Sequence, residues 1–201
     1  MKNFKLFVFI CFFFPLFVIA QKDYESGYII TNSNDTIAGF VKDRKSHPFG
    51  KLYKKIYFKN STKKRKYGPQ QILGYKQGNR KFESLWLEIS GHLIEENYTS
   101  ITNVGEKQFL KVDLKGFLTL YQMEITDPDT DYIDQIPLFK REGENFLIRV
   151  TQGVFGLKKK KLQIYFMDCP ELMRKIVNQE LKTPIEIAKF YNTWIMENSI
   201  N

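Results

Sequence analysis

Apolar side chains follow two periods along this chain. From Tyr24 to about Val150 they alternate with polar ones in short runs broken by Gly, Asn, Asp and Pro, and beyond Asp168 they recur at helical spacing. Tyr28 and Ile30 alternate with Ile29 and Thr31, and Asn32-Ser33-Asn34-Asp35 is a turn cluster. Ile37 and Val41 share a face of the returning strand. The spacing predicts a hairpin, with Gly39 as a bulge or a point of close packing. Leu52 to Lys59 alternates again, with Ile56 and Phe58 on one side and Tyr57 and Lys59 on the other. Gly68-Pro69 interrupts the pattern. Further strands are predicted at Ile72 to Lys76, Phe82 to Ile89, Leu110 to Leu114, Phe117 to Ile125, Tyr132 to Phe139 and Phe146 to Val150. Turns fall at Gln77-Gly78-Asn79 and Lys115-Gly116. Gly91 to Gly105 follows neither period, as a loop would.

The helical part carries start signals. Asp168 followed by Glu171 offers an N-cap acceptor and a returning carboxylate, ahead of an apolar face of Leu172, Met173, Ile176 and Val177. Thr183-Pro184-Ile185-Glu186 is the clearer start, with a capping hydroxyl, a proline at the first helical position and a glutamate three residues on. Ile187, Tyr191, Trp194 and Ile195 then line up at helical spacing. A third helix from Leu157 to about Met167 is diluted by its lysines. Strands first and helices after predict an α+β fold: an N-terminal antiparallel β-rich sheet or partly closed barrel over 21–150, followed by two or three C-terminal helices over 151–201 packed on the same domain. No internal repeat and no long linker divides it.

The first twenty residues add an address. Lys2 and Lys5 precede an uncharged apolar run from Leu6 to Ala20, and Val18-Ile19-Ala20 ends it with residues suited to signal-peptidase cleavage between Ala20 and Gln21. The run is shorter than the roughly 20 residues a membrane-spanning helix needs; a retained N-terminal anchor is the alternative to a signal peptide over 1–20. Of the two cysteines, Cys11 lies inside this run and Cys169 outside it, so the processed chain has no intramolecular disulfide. Ile10 stands where lipoprotein processing wants a small residue. The expected location is exported: periplasmic, outer-membrane-associated or secreted.

Four stretches carry a resemblance: Gly27-Tyr28-Ile29-Ile30 through Asp35-Thr36-Ile37-Ala38-Gly39; Tyr67-Gly68-Pro69 through Gly74-Tyr75; Lys115-Gly116-Phe117-Leu118-Thr119-Leu120-Tyr121; and Asp168-Cys169-Pro170-Glu171 with Phe190-Tyr191-Asn192. Together they resemble the uncharacterised exported proteins of Bacteroidota-type Gram-negative bacteria. The resemblance implies an exported envelope protein and brings no activity or site with it.

Catalytic signals are sparse. His47 and His92 have no partner at ligand spacing, and there is no nucleophile elbow, zinc-protease helix or phosphate-cradling glycine loop. Cys169 could be a nucleophile at a helix start, but the simpler reading is a small residue held between a cap and Pro170. Asp127, Asp129 and Asp131 open like a calcium loop, yet Tyr132 and Leu138 replace the required glycine and glutamate, so a solvated acidic turn fits better. No catalytic residue, metal or cofactor is assigned. An envelope hydrolase or isomerase with residues gathered by the fold is the alternative reading.

Charge is the sharpest remaining feature. The chain has 31 Lys and Arg against 22 Asp and Glu, and the stretch from Arg44 to Phe82 holds thirteen of the basic residues and no acidic one. On a strand, Tyr53, Lys55, Tyr57 and Lys59 point to one face, with Lys63, Lys64, Arg65 and Lys66 in the following turn or strand. Such a face suits anionic lipid, acidic polysaccharide or another envelope protein, and the exported address argues against nucleic acid. The plainer account is a solvated sheet whose lysines discourage edge pairing. Lys158 to Lys161 is a second, weaker cluster. The expectation is a non-enzymatic binding or interaction module.

Overall fold

The computed structural model of the protein describes residues 24–44, 54–91, 96–126, 133–153 and 156–198. Eleven strands come first: β1 (Glu25–Thr31), β2 (Thr36–Lys42), β3 (Ile56–Lys59), β4 (Lys64–Tyr67), β5 (Ile72–Gln77), β6 (Arg80–Ser90), β7 (Asn97–Thr99), β8 (Glu106–Leu114), β9 (Leu118–Thr126), β10 (Ile133–Arg141) and β11 (Phe146–Arg149). Three helices follow: α1 (Lys159–Tyr165), α2 (Pro170–Val177) and α3 (Pro184–Asn198). No helix among the described residues is long and apolar enough to cross a membrane.

The strands make one antiparallel sheet in the order β4-β3-β2-β1-β5-β6-β7-β11-β10-β9-β8, and β8 returns to pair with β6. That pairing closes β6 to β11 into a six-stranded barrel, more complete than the partly closed one expected, and leaves β1 to β5 as an arm. β6 serves both parts. Residues 80–83 pair with β5, residues 88–90 with β7, and residues 81–87 with β8 on the other side. The stretch from Gly91 to Gly105, ambiguous in the sequence, holds the short strand β7. Its three residues are too few to reveal a period, but pairing on both edges and burial of Tyr98 hold them.

Three apolar layers result. Leu87, Tyr98, Leu110, Tyr121, Met123, Ile136, Leu138 and Leu147, drawn from all six barrel strands, fill the barrel. Leu118, Leu120, Phe139, Ile148 and Val150 face outward from the same strands and meet Leu162, Phe166, Leu172, Ile176, Ile187 and Tyr191 of the helical part. Both faces of β9 are therefore covered, which explains its nearly unbroken apolar start. The third layer, Ile29, Val41, Ile56, Phe58, Ile72 and Tyr75, packs the inner face of the arm against Phe82 and Phe109 on the outside of the barrel.

Residues in the four resembling stretches have packing roles. Gly39 is a point of close approach within a regular β1–β2 register: a Cβ there would sit 2.6 Å from the Lys59 carbonyl oxygen and from the Phe58 ring. The turn at Gly116 lies against Asn192, leaving no room for a side chain. Asn192 docks α3 on β9 by accepting from the Leu118 N–H at 2.7 Å and donating to the Leu118 carbonyl at 2.9 Å.

The capping box at α3 forms as the sequence predicts. Thr183 Oγ1 accepts from the Glu186 N–H at 3.3 Å, and Glu186 Oε2 accepts from the Thr183 N–H at 2.9 Å. Asp168 does not cap α2. Cys169 holds that position without a side-chain bond, because the Asp168 carboxylate is taken by Arg141, at 2.7 Å, and by the Tyr191 hydroxyl. Val177 also leaves the predicted apolar face and is half exposed, while Leu172 and Ile176 are buried.

Candidate functional site

The arm turns two unlike faces outward and inward, and register decides which residues share them. Directly opposed residues of an antiparallel pair point the same way. Tyr57 opposes Lys66 and Lys42, Lys59 opposes Lys64 and Phe40, and none of these faces the apolar layer that buries Ile56 and Phe58. Phe40 continues to Ser26 on β1, and Tyr28 on β1 continues to Lys76 on β5. Lys76 opposes Lys81 on β6. The outer face thus runs from Lys64 and Lys66 at the end of the sheet, across Tyr57, Lys59, Phe40 and Lys42, to Lys76 and, on β6, to Lys81 and Glu83, the latter opposite Gly74. Glu25 is the one carboxylate within β1 to β5, and it opposes Val41 on the inner side.

The amines lie against rings. The Lys66 Nζ is 4.7 Å from the Tyr57 ring centre, and the Lys59 Nζ is 4.3 Å from that of Tyr24 and 5.7 Å from that of Phe40. Lys42 also lies over Tyr24, at 6.0 Å. Contacts of this kind are electrostatic, the ring face attracting the ammonium. Phe40 itself is 50% exposed, in the middle of these charges.

Of the sequence-predicted residues, Tyr57, Lys59, Lys64 and Lys66 meet on this face. Lys55 is exposed just before β3. Lys63 sits in the β3–β4 turn, where Asn60 Oδ1 accepts its backbone N–H at 2.8 Å. Arg65 opposes Phe58 and so points to the other side, with its guanidinium 5.8 Å from the Tyr67 ring centre. Tyr53, like Ala20, Gln21, His47, His92, Asp127, Asp129 and Asp131, lies outside the described residues. Tyr24, Phe40, Lys42 and Lys76 escape the sequence reading because they belong to other predicted strands or their flanks, and only strand order brings them onto the face of β3.

Beneath the arm lies a buried polar network. Arg44 Nη2 donates to Glu124 Oε2 at 2.6 Å and its Nε to Asp43 Oδ1 at 3.2 Å, while the guanidinium lies over the Phe82 and Phe109 rings. Tyr75 donates to the same Asp43 oxygen at 2.5 Å, and Arg80 approaches its other oxygen at 3.3 Å. Burial alone would lower the Arg44 pKa, but Tyr75, Asp43 and Glu124 together raise it. Burial outweighs Arg44 at Glu124 and pushes that carboxyl above its ordinary range. The network joins the end of β2 to the outside of β9.

A second cluster lies at one end of the barrel. Lys115 reaches Glu83 at 2.7 Å and Tyr121 donates to Glu83 at 2.5 Å, with Lys140 nearby, its amine lowered by burial and by Lys115. Cys169 is buried, and burial pushes its thiol up, the opposite of an activated nucleophile. Among the described residues no three His, Cys, Asp or Glu gather as metal ligands. Compared with known protein families, with curated proteins and with solved structures, the chain finds no match.

Proposed function

We propose that this chain is an exported protein of the cell envelope that binds polyanionic envelope material through the outer face of β1 to β5, as an interaction module rather than an enzyme. The observation that carries the reading is register: Tyr57, Lys59, Lys64 and Lys66 share one face with Phe40, Lys42 and Lys76, and the strands β1 to β5 contribute no carboxylate to it. A face of one sign raises the local concentration of oppositely charged polymer and accelerates its capture. The export half of the proposal rests on Lys2, Lys5 and the apolar run Leu6 to Ala20, and on the resemblance to exported Bacteroidota-type proteins.

The test is retention on polyanions at low ionic strength. The processed chain is mixed with polygalacturonate and, separately, with vesicles containing phosphatidylglycerol, beside two variants of equal net charge. K59E/K64E/K66E reverses the face; K159E/K160E/K189E reverses exposed lysines of the helical part. Loss confined to the first variant supports the reading, and equal loss in both would reduce it to net charge. Fractionation of producing cells with a mass for the mature chain tests the address: a product beginning at Gln21 outside the cytoplasm is expected.

A further inference from the structure

Resting on the polyanion-binding reading, we infer that the ligand of this face is an anionic lipid bilayer, on which β1 to β5 lie flat beside the point where the apolar leader enters the membrane. The chemistry of the face makes the first argument. Across β1 to β5 its strand positions offer lysine amines, the rings of Tyr28, Phe40 and Tyr57, and small or aliphatic groups, with no amide or guanidinium; register adds one carboxylate at its β6 edge, Glu83 opposite Gly74, which Lys115 holds. The planar donor and acceptor pairs that amide and guanidinium side chains present to adjacent sugar hydroxyls are missing from β1 to β5, whose hydroxyls on Ser26, Tyr28, Thr36 and Tyr57 donate and accept singly. Ammonium groups are compact charges on flexible stems. They match phosphates whose lateral positions vary, as lipid headgroups do.

Phe40 makes the second. A half-exposed phenyl ring with Lys59 5.7 Å from its centre gains nothing from water. At a bilayer it enters the boundary between headgroups and chains while the amines stay with the phosphates, the division of labour found in surface-bound amphipathic segments. Tyr24 and Tyr57 beside it carry the ring-and-hydroxyl chemistry favoured at that depth.

The third argument is reach. Tyr24 stacks under Lys59 and Lys42 on this face, so the chain enters the fold at the face itself. From Ala20 to Tyr24 the chain can extend at most about 14 Å. While Leu6 to Ala20 is held in a membrane, the near edge of the face stays close to the bilayer, on the scale of the ~8–10 Å screening length at physiological salt. Capture by anionic lipid then needs no separate encounter, and cleavage leaves the protein already adsorbed.

The experiment compares co-sedimentation of the processed chain with phosphatidylcholine vesicles, with and without phosphatidylglycerol, and binding to soluble polygalacturonate. Binding is expected only where phosphatidylglycerol is present, and polygalacturonate should not displace it. K59E/K64E/K66E should weaken vesicle partitioning by at least about 100-fold, taking about fivefold per lysine near an anionic surface. Phe40→Ser, which leaves every charge in place, should weaken it about fivefold to tenfold, with no effect on a purely ionic ligand. Binding to polygalacturonate but not to the vesicles would overturn the lipid inference and leave polyanion binding standing. Binding to neither would overturn both. Vesicle binding indifferent to Phe40→Ser and to the three reversals would also overturn it.

Discussion

Arg44→Met tests whether the buried network, rather than the apolar layer alone, seats the arm on the barrel. The substitution keeps a long flexible side chain between the Phe82 and Phe109 rings but removes the cation from Asp43 and Glu124. Asp43 retains Tyr75 and Arg80 as partners; the Glu124 carboxylate, 4% exposed, loses the guanidinium 2.6 Å away. Breaking a buried ion pair from one side costs about 3–5 kcal/mol, most of it the charge left behind. With a urea dependence of about 2 kcal/mol/M, the unfolding midpoint should fall by roughly 1.5–2.5 M. Removing the stranded charge as well, in Arg44→Met/Glu124→Leu, should recover most of the loss, since apolar replacement of a whole buried pair is often near neutral. The pH dependence follows from the sign of the Glu124 shift. A carboxyl whose native pKa lies above its unfolded value binds more protons when folded, so stability rises as pH falls through that interval. Without Arg44 the native value climbs further, and the deficit of the single variant should shrink as pH is lowered from 7 toward the unfolded value of about 4.3. A double variant no more stable than the single one, or a deficit independent of pH, would refute the reasoning.

Asn192→Ala removes both bonds to the Leu118 backbone and leaves a buried N–H and carbonyl unpaired, so it should cost about 2–4 kcal/mol in chemical unfolding. Asn192→Asp, which keeps only the acceptor, should be no better. Thr183→Ala, at the exposed cap of α3, should cost only about 1 kcal/mol by the same measurement. Burial raises the pKa of Tyr75, Tyr98, Tyr121, Tyr165 and Tyr191 above the ordinary value. The unfolded chain therefore loses protons first, and stability should fall as pH rises past about 10. Phenolate absorbance should accordingly rise in one step coincident with loss of near-ultraviolet circular dichroism, and gradual titration of a still-folded protein would contradict that order.

How much of this was legible in the sequence depended on how far each residue's partner lies along the chain. The hairpin of β1 and β2, the turn at Gly116 and the cap at Thr183 are decided by residues within a few positions of one another, and the pattern identified them. Asp168 looked like a cap by the same local rule, but Arg141 and Tyr191, 27 and 23 residues away, compete for its carboxylate and win it. Arg44 and Glu124 are 80 residues apart, and nothing near either one in the sequence points to the other. Alternation placed Tyr57 with Lys59 correctly, because period two needs only one strand. It had no means of adding Phe40 or Lys76, which belong to the face through strand order, or of separating Arg65 from Lys64 and Lys66 before the second strand was known to begin there.

One strand belongs to both parts of the molecule. β6 gives hydrogen bonds to β5, to β7 and to β8, so barrel and arm share a backbone segment instead of meeting across a surface. Neither can open along that line without exposing the other's ladder. The ring closes through non-local pairings, β8 on β6 and β11 on β7, the kind of topology associated with slower folding. Once closed, the arm that carries the lysines is stiff in its attachment: a load applied to it passes along the strand into the barrel instead of bending at a linker.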